Sequence, residues 1–266
     1  MTITPSVLIT GASSGIGAVY ADRFARRGHN LVLVARDRAR MEKLADRLRR
    51  ETGVAVEVLQ ADLTDSGDLA LVEARLRDDS RIGILVNNAG MSAAGGFLDQ
   101  SADDVAKIVR LNAMAVLRLA HAAASRFAKE GAGAIINIGS VAAFMPEWGS
   151  TVYGATKAFV LFLSQGLQFE LASKSVYVQA VLPAATRTEI WERSGKDVNK
   201  LPAVMETEEL VDAALAGFDR REPITIPSLP DLDQWTDLDN ARKAMIPNLN
   251  QVHAAKRYRP LLEQIA

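Results

Sequence analysis

Tyr153 and Lys157 stand four residues apart in the run Tyr-Gly-Ala-Thr-Lys. In a helix this spacing puts both side chains on one face, one turn apart. A free phenol, with a pKa near 10, is a poor base at neutral pH. An ammonium within a few ångströms favours the phenolate and lowers that value, so Tyr153 is placed to exchange a proton with an alcohol or carbonyl oxygen. The same spacing also occurs in ordinary solvated pairs, so the surroundings decide. A second constellation lies near the start, from Val7 through Thr10, Gly11, Ser13, Ser14, Gly15 and Ile16 to Gly17. Its apolar run Val7–Ile9 suits a strand buried on both faces. The glycines then lead into the helical pattern Ala18–Arg27. Strand, turn and helix N-terminus together form an anion site: free backbone N–H groups and the helix dipole face one point, and glycines let a pyrophosphate approach the backbone. The spacing is not G-x-G-x-x-G, and glycines also serve tight turns and close helix packing.

The elements that must hold these residues alternate along the chain. Apolar runs at Leu31–Ala35, Val54–Leu59, Ile82–Val86, Ala134–Ile138, Val176–Leu182 and Ile224–Ile226 read as further strands. Helical periods fall at Asp37–Arg50, Leu69–Leu76, Tyr153–Leu171 and Glu208–Phe218. Ser101 with Asp104 forms a capping box that opens a long helix to about Ala128. The order predicts an α/β fold: a Rossmann-type, doubly wound parallel sheet of about seven strands with helices on both faces. No linker divides the chain, so a single domain over 1–266 is expected, with 227–266 as a C-terminal extension of unassigned role. Gly11–Gly17, Arg36, Asp62, Asn87–Gly90, Ser140 and Pro183 all fall at the carboxyl ends of strands, the edge where open parallel sheets bind ligands.

Composition removes several classes of function. The 266 residues include no cysteine, which excludes disulfides, thiol catalysis and cysteine-ligated zinc. His29, His121 and His253 lie far apart without metal-ligand spacing, so no metal site is expected. The 31 basic and 32 acidic residues give a net charge of -1, which argues against nucleic acid or an anionic membrane as a partner. The first strand follows the N-terminus almost at once, leaving no room for a signal peptide, and no apolar run is long enough to span a membrane; a cytoplasmic protein is expected.

Taken in order, Thr10-Gly-x-x-x-Gly-x-Gly17, Asn87-Asn88-Ala89-Gly90, Asn112, Ser140 and Tyr153-x-x-x-Lys157 resemble the short-chain dehydrogenases/reductases, in their compact single-domain branch. The resemblance covers about Val7 to Thr188, more loosely to the strand at Ile224. It implies a nicotinamide cofactor and hydride transfer between its C4 and a carbonyl or alcohol carbon of a small molecule. By position, it makes Tyr153 the general acid/base, and has Lys157 tune the phenol and hold the nicotinamide ribose. Ser140 then binds the substrate oxygen, and Asn112 positions a water for proton relay. It further implies that Gly11, Ser13, Ser14, Gly15, Ile16, Gly17, Asp62, Leu63, Asn88, Ala89, Gly90, Pro183, Thr186 and Thr188 lie against the cofactor, Asp62 at the adenine. Phe144, Met145, Trp148, Ile190 and Trp191 fall where the family forms its substrate pocket, and suggest an apolar, bulky or aromatic group. One departure is Ala184, where the family has glycine after Pro183; alanine has less freedom of φ, though Thr188 still fits the carboxamide-binding threonine.

Arg36 addresses the choice of cofactor. An acid at the end of the second strand would bind the adenosine ribose hydroxyls and repel a 2′-phosphate. Here a guanidinium follows Val34-Ala35, about 20 residues beyond the glycine turn, and suits that phosphate. NADP(H) is therefore expected rather than NAD(H), with Asp37 taken as the cap of the next helix. A non-catalytic NADP-binding regulator would need only the turn and Arg36, and has no use for Ser140, Tyr153 and Lys157 together. An epimerase or dehydratase of the wider family fits the short chain and simple tail less well. The resemblance also implies a homodimer or homotetramer through the two long helices, the first of which carries Ala113, Ala115, Ala120, Ala122, Ala123 and Ala124, small residues that permit close helix packing.

Overall fold

The computed structural model describes residues 4–195 and 197–258. Seven parallel strands form one sheet in the order β3-β2-β1-β4-β5-β6-β7. They are β1 (Ser6–Thr10), β2 (Leu31–Ala35), β3 (Val56–Gln60), β4 (Ile82–Asn87), β5 (Gly133–Ile138), β6 (Val176–Val181) and β7 (Ile224–Thr225). The apolar runs serve both faces. Val7 and Ile9 point into one core with Tyr20, Phe24, Met41 and Leu215, while Leu8 points into the other with Val72, Leu119 and Phe127. The first core is covered by α1 (Gly15–Arg26), α2 (Arg38–Thr52) and α8 (Thr207–Asp219). The second is covered by α3 (Ser66–Asp78), α5 (Val116–Glu130) and α6 (Thr151–Leu171). The sheet is thus of the Rossmann type. Strand order reverses at β1, between β2 and β4, which places the ligand crevice at the carboxyl ends there.

Helix α1 opens at Gly15, three residues before the apolar period predicts, because the glycine turn itself makes the first turn. Asp37 caps α2, accepting from the Arg40 amide at 3.0 Å. Asp65 caps α3, accepting from the amides of Gly67 and Asp68. The long helix predicted from Ser101 is interrupted. It consists of α4 (Ala102–Val109), a wide π turn over Arg110–Ala115, and α5. Arg126 is buried on α5 and donates to the carbonyls of Leu76 and Ile82, pinning the helix to the end of α3 and the start of β4.

The alanines of this helix do not form an outer face. Ala115, Ala120, Ala123 and Ala124 are buried within the chain, and three of them, Ala115, Ala123 and Ala124, belong to the core beside β1, β4 and β5. What points outward is Val109, Met114 and Leu117, with Phe159, Phe162 and Phe169 along α6.

The chain divides into two compact units, one ending at Ser228 and one beginning at Leu229. The second contains α9 (Asp233–Leu249), in which Asp239 pairs with Arg242 and Lys243 and Pro247 falls near the end. No helix among the described residues is long and apolar enough to cross a membrane.

Candidate active site

The glycine turn is closed by backbone. Gly11 and Gly15 take φ of +66° and +54°, in the left-handed region. A Cβ on Gly17 would lie 2.4 Å from the Gly11 carbonyl oxygen. Asn88 holds the turn from β4: its side-chain amide donates to the Thr10 carbonyl at 2.8 Å and to the Gly11 carbonyl at 3.3 Å. The backbone amides of Asn88 and Ala89 both donate to the Thr10 hydroxyl. Asn88 is thereby committed to the turn, and its neighbours Ala89 and Gly90 present main chain to the crevice. Ser14 stands at the N-cap of α1 but makes no side-chain capping bond, and no acid lies in the first turn. The orphan N–H groups and the positive end of the dipole are left for an anion. Ser13 and Gly15 are half-buried here, while Ile16 packs against the first core.

Beyond the turn, an open cleft of about 330 Å³ is lined by Arg36, Gln60, Asp62 and Asp68. Arg36 is exposed, and its Nη1 lies 3.8 Å from Asp62 Oδ2. Burial pushes the Asp62 carboxyl up, but the Thr64 amide and hydroxyl, with the charges of Arg36 and Lys107, outweigh it and hold the group below its ordinary value. Leu63 is buried in the second core and offers the cleft only backbone. Gln60 and Asp68 were not singled out from the sequence. Asp68 accepts from the Asp62 amide at 2.8 Å, a contact between positions six apart that no motif announces.

At the other end of the crevice, β5 and α6 position the candidate reacting groups. Ser140 follows β5; its hydroxyl accepts from the Ala142 amide at 3.1 Å, donates to the Pro183 carbonyl at 3.3 Å, and lies near enough to the Tyr153 phenol to ease its ionisation. Lys157 is buried, its Nζ 5.6 Å from the Tyr153 ring centre and donating to the Ile138 carbonyl at 2.9 Å. Burial raises the Tyr153 pKa, and Ser140 only partly offsets it. From the sequence, Lys157 is expected to lower that pKa. The shift runs the other way here because the phenol loses solvent while the ammonium is turned to Ile138. Burial also brings Lys157 down to about 8 from 10.5.

Asn112 lies fully buried inside the π turn. Its side chain accepts from the Met91 amide at 2.9 Å and donates to the Met91 carbonyl at 2.8 Å and the Thr156 hydroxyl at 3.2 Å. Thr156 in turn donates to the Tyr153 carbonyl at 2.8 Å. Met91 and Thr156 went unnoticed in the sequence, although Thr156 sits inside the Tyr-to-Lys run. A Cβ on Gly90 would come within 3.5 Å of both Asn112 Oδ1 and Lys157 Nζ, so glycine lets these groups share one floor.

The segment after β6 crosses back over the glycine turn. Thr186 bridges to Met205, and its carbonyl accepts from the Trp191 indole at 2.7 Å. Thr188 packs on Gly15, where an added Cβ would lie 3.2 Å from its methyl group. Ile190 and Trp191 are half-buried on the short helix α7 (Ile190–Arg193). Phe144, Met145 and Trp148 sit on two 3-10 turns between Ser140 and α6, with Phe144 and Trp148 exposed.

The family model described as short chain dehydrogenase matches residues 5–199. A short-chain dehydrogenase from Sphingobium yanoikuyae, solved in complex with NADPH, superposes with a TM-score of 0.95 at 64% identity, covering 96% of this chain and 99% of that one. The bulky-bulky ketone specific alcohol dehydrogenase from Comamonas testosteroni gives a TM-score of 0.91 at 60% identity, over 97% and 99% of the two chains. The very-long-chain 3-oxoacyl-CoA reductase of Bos taurus is 34% identical over 187 residues, 69% of this chain but only 60% of that protein's length. The chain belongs to the short-chain dehydrogenase family and is an oxidoreductase.

The buried lysine makes a stability prediction. The unfolded chain keeps the Lys157 proton to about 10.5 and the folded chain to about 8, so the unfolded state binds more protons between these values and stability rises with pH across that window. Lys157→Met removes this contribution. Guanidinium unfolding of wild type and variant without added nucleotide is expected to show the wild type gaining on the order of 3 kcal/mol relative to the variant from about pH 7 to pH 10.5. A difference independent of pH would contradict the buried charge.

Proposed function

We propose that this chain is an NADP(H)-dependent reductase of ketones carrying bulky groups on both sides of the carbonyl. The observation that carries the reaction is the convergence of three side chains: Ser140 eases the buried Tyr153 phenol, and Lys157 Nζ, from the next turn of α6, lies 5.6 Å from the Tyr153 ring centre. The residues present fit a dinucleotide. The uncapped first turn of α1 and its glycines suit a pyrophosphate, the cleft at Arg36 and Asp62 suits the adenosine, and Lys157 and Thr188 lie toward the nicotinamide. When bound, the cofactor supplies or accepts the hydride; the chain supplies placement and the proton.

Ser140 and Tyr153 hydrogen-bond the substrate oxygen and stabilise the charge that develops on it as the carbonyl is reduced. Tyr153, kept protonated by burial, gives its proton to that oxygen. Lys157 holds the ribose hydroxyls and favours the phenolate left behind. Asn112 has its side chain satisfied by Met91 and Thr156, so a relay water there is held by main chain. The Comamonas relative supports the substrate class, as do exposed Phe144 and Trp148 on the 3-10 turns that follow Ser140 in the chain. A non-catalytic regulator is not favoured, because the reacting groups are assembled. Tyr153→Phe is expected to bind NADPH normally and lose turnover by about 100- to 10,000-fold on a panel of diaryl and aryl-alkyl ketones. Near wild-type turnover would refute the proton role, and preference for small methyl ketones would refute the substrate class.

The preference for NADP(H) rests on Arg36, in agreement with the NADPH complex of the Sphingobium relative. A charge-assisted bond to a 2′-phosphate supports roughly ten- to hundredfold selectivity. Arg36→Ala should reduce the ratio of NADH to NADPH dissociation constants by that factor, measured by cofactor fluorescence. An unchanged ratio would remove Arg36 from the site.

The assembly is proposed as a homodimer or homotetramer. Phe159, Phe162 and Phe169 form a stripe at i, i+3 and i+10 on α6, exposed together with Val109, Met114 and Leu117. An apolar stripe of this kind marks a contact face. Light scattering is expected to give an oligomeric mass for the wild type and a smaller mass for Phe162→Asp. A monomeric wild type at micromolar concentration would overturn the proposal.

A further inference from the structure

We propose that the ion pair between Arg40 and Glu189 is a clasp that sets how fast the dinucleotide enters and leaves, and that it acts on exchange more than on affinity. The inference rests on the reading that a dinucleotide lies on the glycine turn. Arg40 Nη1 lies 2.6 Å from Glu189 Oε1, across 149 positions of sequence. Arg40 belongs to the first turn of α2, and Asp37 aims it: the carboxylate accepts from the Arg40 amide and lies 3.4 Å from Nε. Glu189 directly follows Thr188, whose methyl group packs on Gly15 at the N-terminus of α1. The Thr188–Glu189 step therefore runs from the N-terminus of α1 to that of α2, along the carboxyl edge of the sheet. A dinucleotide reaching from the Arg36 and Asp62 cleft to Tyr153 and Lys157 has to pass the glycine turn, which this step crosses.

The two ends of the crossing segment are fixed differently. Its base is held by partly buried contacts around the buried Thr186 and Thr207: Thr186 pairs with Met205, the Trp191 indole donates to the Thr186 carbonyl, and the Thr207 hydroxyl donates to the Arg187 carbonyl at 2.6 Å. The clasp at its tip is exposed, with 51% of the Arg40 side chain and 35% of the Glu189 side chain open to solvent. An exposed ion pair is weak and screened by salt. It is thus the contact that yields first when the segment lifts. Both partners belong to the protein, so loosening the pair lowers the barrier to entry and exit alike.

The test is stopped-flow fluorescence of NADPH binding to wild type, Arg40→Ala, Glu189→Ala and the double variant, with equilibrium titrations alongside. Each single variant is expected to raise both association and dissociation rates two- to fivefold, with the dissociation constant changing less than twofold. The double variant should fall short of the combined effect of the two singles, because the Arg40–Glu189 pair is already lost in either one. Raising salt should accelerate the wild type and leave Glu189→Ala nearly unaffected beyond general screening. Unchanged rates in Glu189→Ala overturn the clasp. So does weaker NADPH binding in Arg40→Ala with tighter binding in Glu189→Ala, which would instead make Arg40 a direct phosphate ligand restrained by Glu189. Failure of the wild type to bind NADPH at all would refute the cofactor reading rather than the clasp.

Discussion

Everything in the crevice depends on how closely three backbones meet at Gly11, Gly17 and Asn88. A methyl group on Gly17 would stand 2.4 Å from the Gly11 oxygen and 2.5 Å from Asn88 Nδ2; one on Gly11 would stand 2.9 Å from Ala89 Cα. No rotamer relieves a clash with main chain, so glycine is required by space as well as by φ. The approach brings the end of β1, the first turn of α1 and the loop after β4 together. It leaves the α1 amides as the wall of the crevice. Strand register then carries the alignment outward: Ile9 pairs with Val86 and Asn87 with Asn137, so Ser140, three residues on, emerges beside the turn.

The sequence shows such features only where chemistry and local spacing coincide. The glycine turn, the Tyr-to-Lys period and the apolar strands are local patterns, and the family order ties them together; the sheet and the reacting groups were legible for that reason. The π turn was not legible, because the period of Ala102–Glu130 reads as one helix. What widens it is a tertiary demand: Asn112 is anchored to Met91 and Thr156 from two other segments. π bulges of this kind recur at functional sites. The alanine run is ambiguous for a related reason. Small residues permit close packing without saying against what, and here Ala115, Ala123 and Ala124 pack on the chain's own sheet. Gln60, Asp68, Arg40 and Glu189 stayed hidden because their partners lie on other elements.

Protonation follows burial more than proximity. Tyr153 and Lys157 share a helix face as expected, yet both shift toward their neutral forms, the phenol upward and the ammonium down to about 8. A buried pair feels desolvation before mutual attraction unless a third group keeps both charges satisfied. The Ile138 carbonyl satisfies one ammonium proton, and Ser140 is the group that eases the phenol. In this state Tyr153 carries its proton at neutral pH, which is what the proposed carbonyl reduction asks of it. Alcohol oxidation needs the phenolate, and therefore an environment that overcomes the burial.

The two ends of the crevice consequently obey different electrostatics. Asn112, Ser140 and Lys157 are buried and fixed by short bonds to main chain, so their geometry responds little to the solvent. Arg36, Asp62, Arg40 and Glu189 stand in water on flexible side chains. Exposed charges are screened over about 8 Å at physiological ionic strength, whereas buried ones are screened much less. Under the proposed cofactor placement, salt therefore acts at the exposed end of the crevice, on recognition and exchange, and leaves the buried end nearly untouched. The division matches what each end must do: a proton has to move between atoms held in place, while a cofactor shared with other enzymes has to come and go.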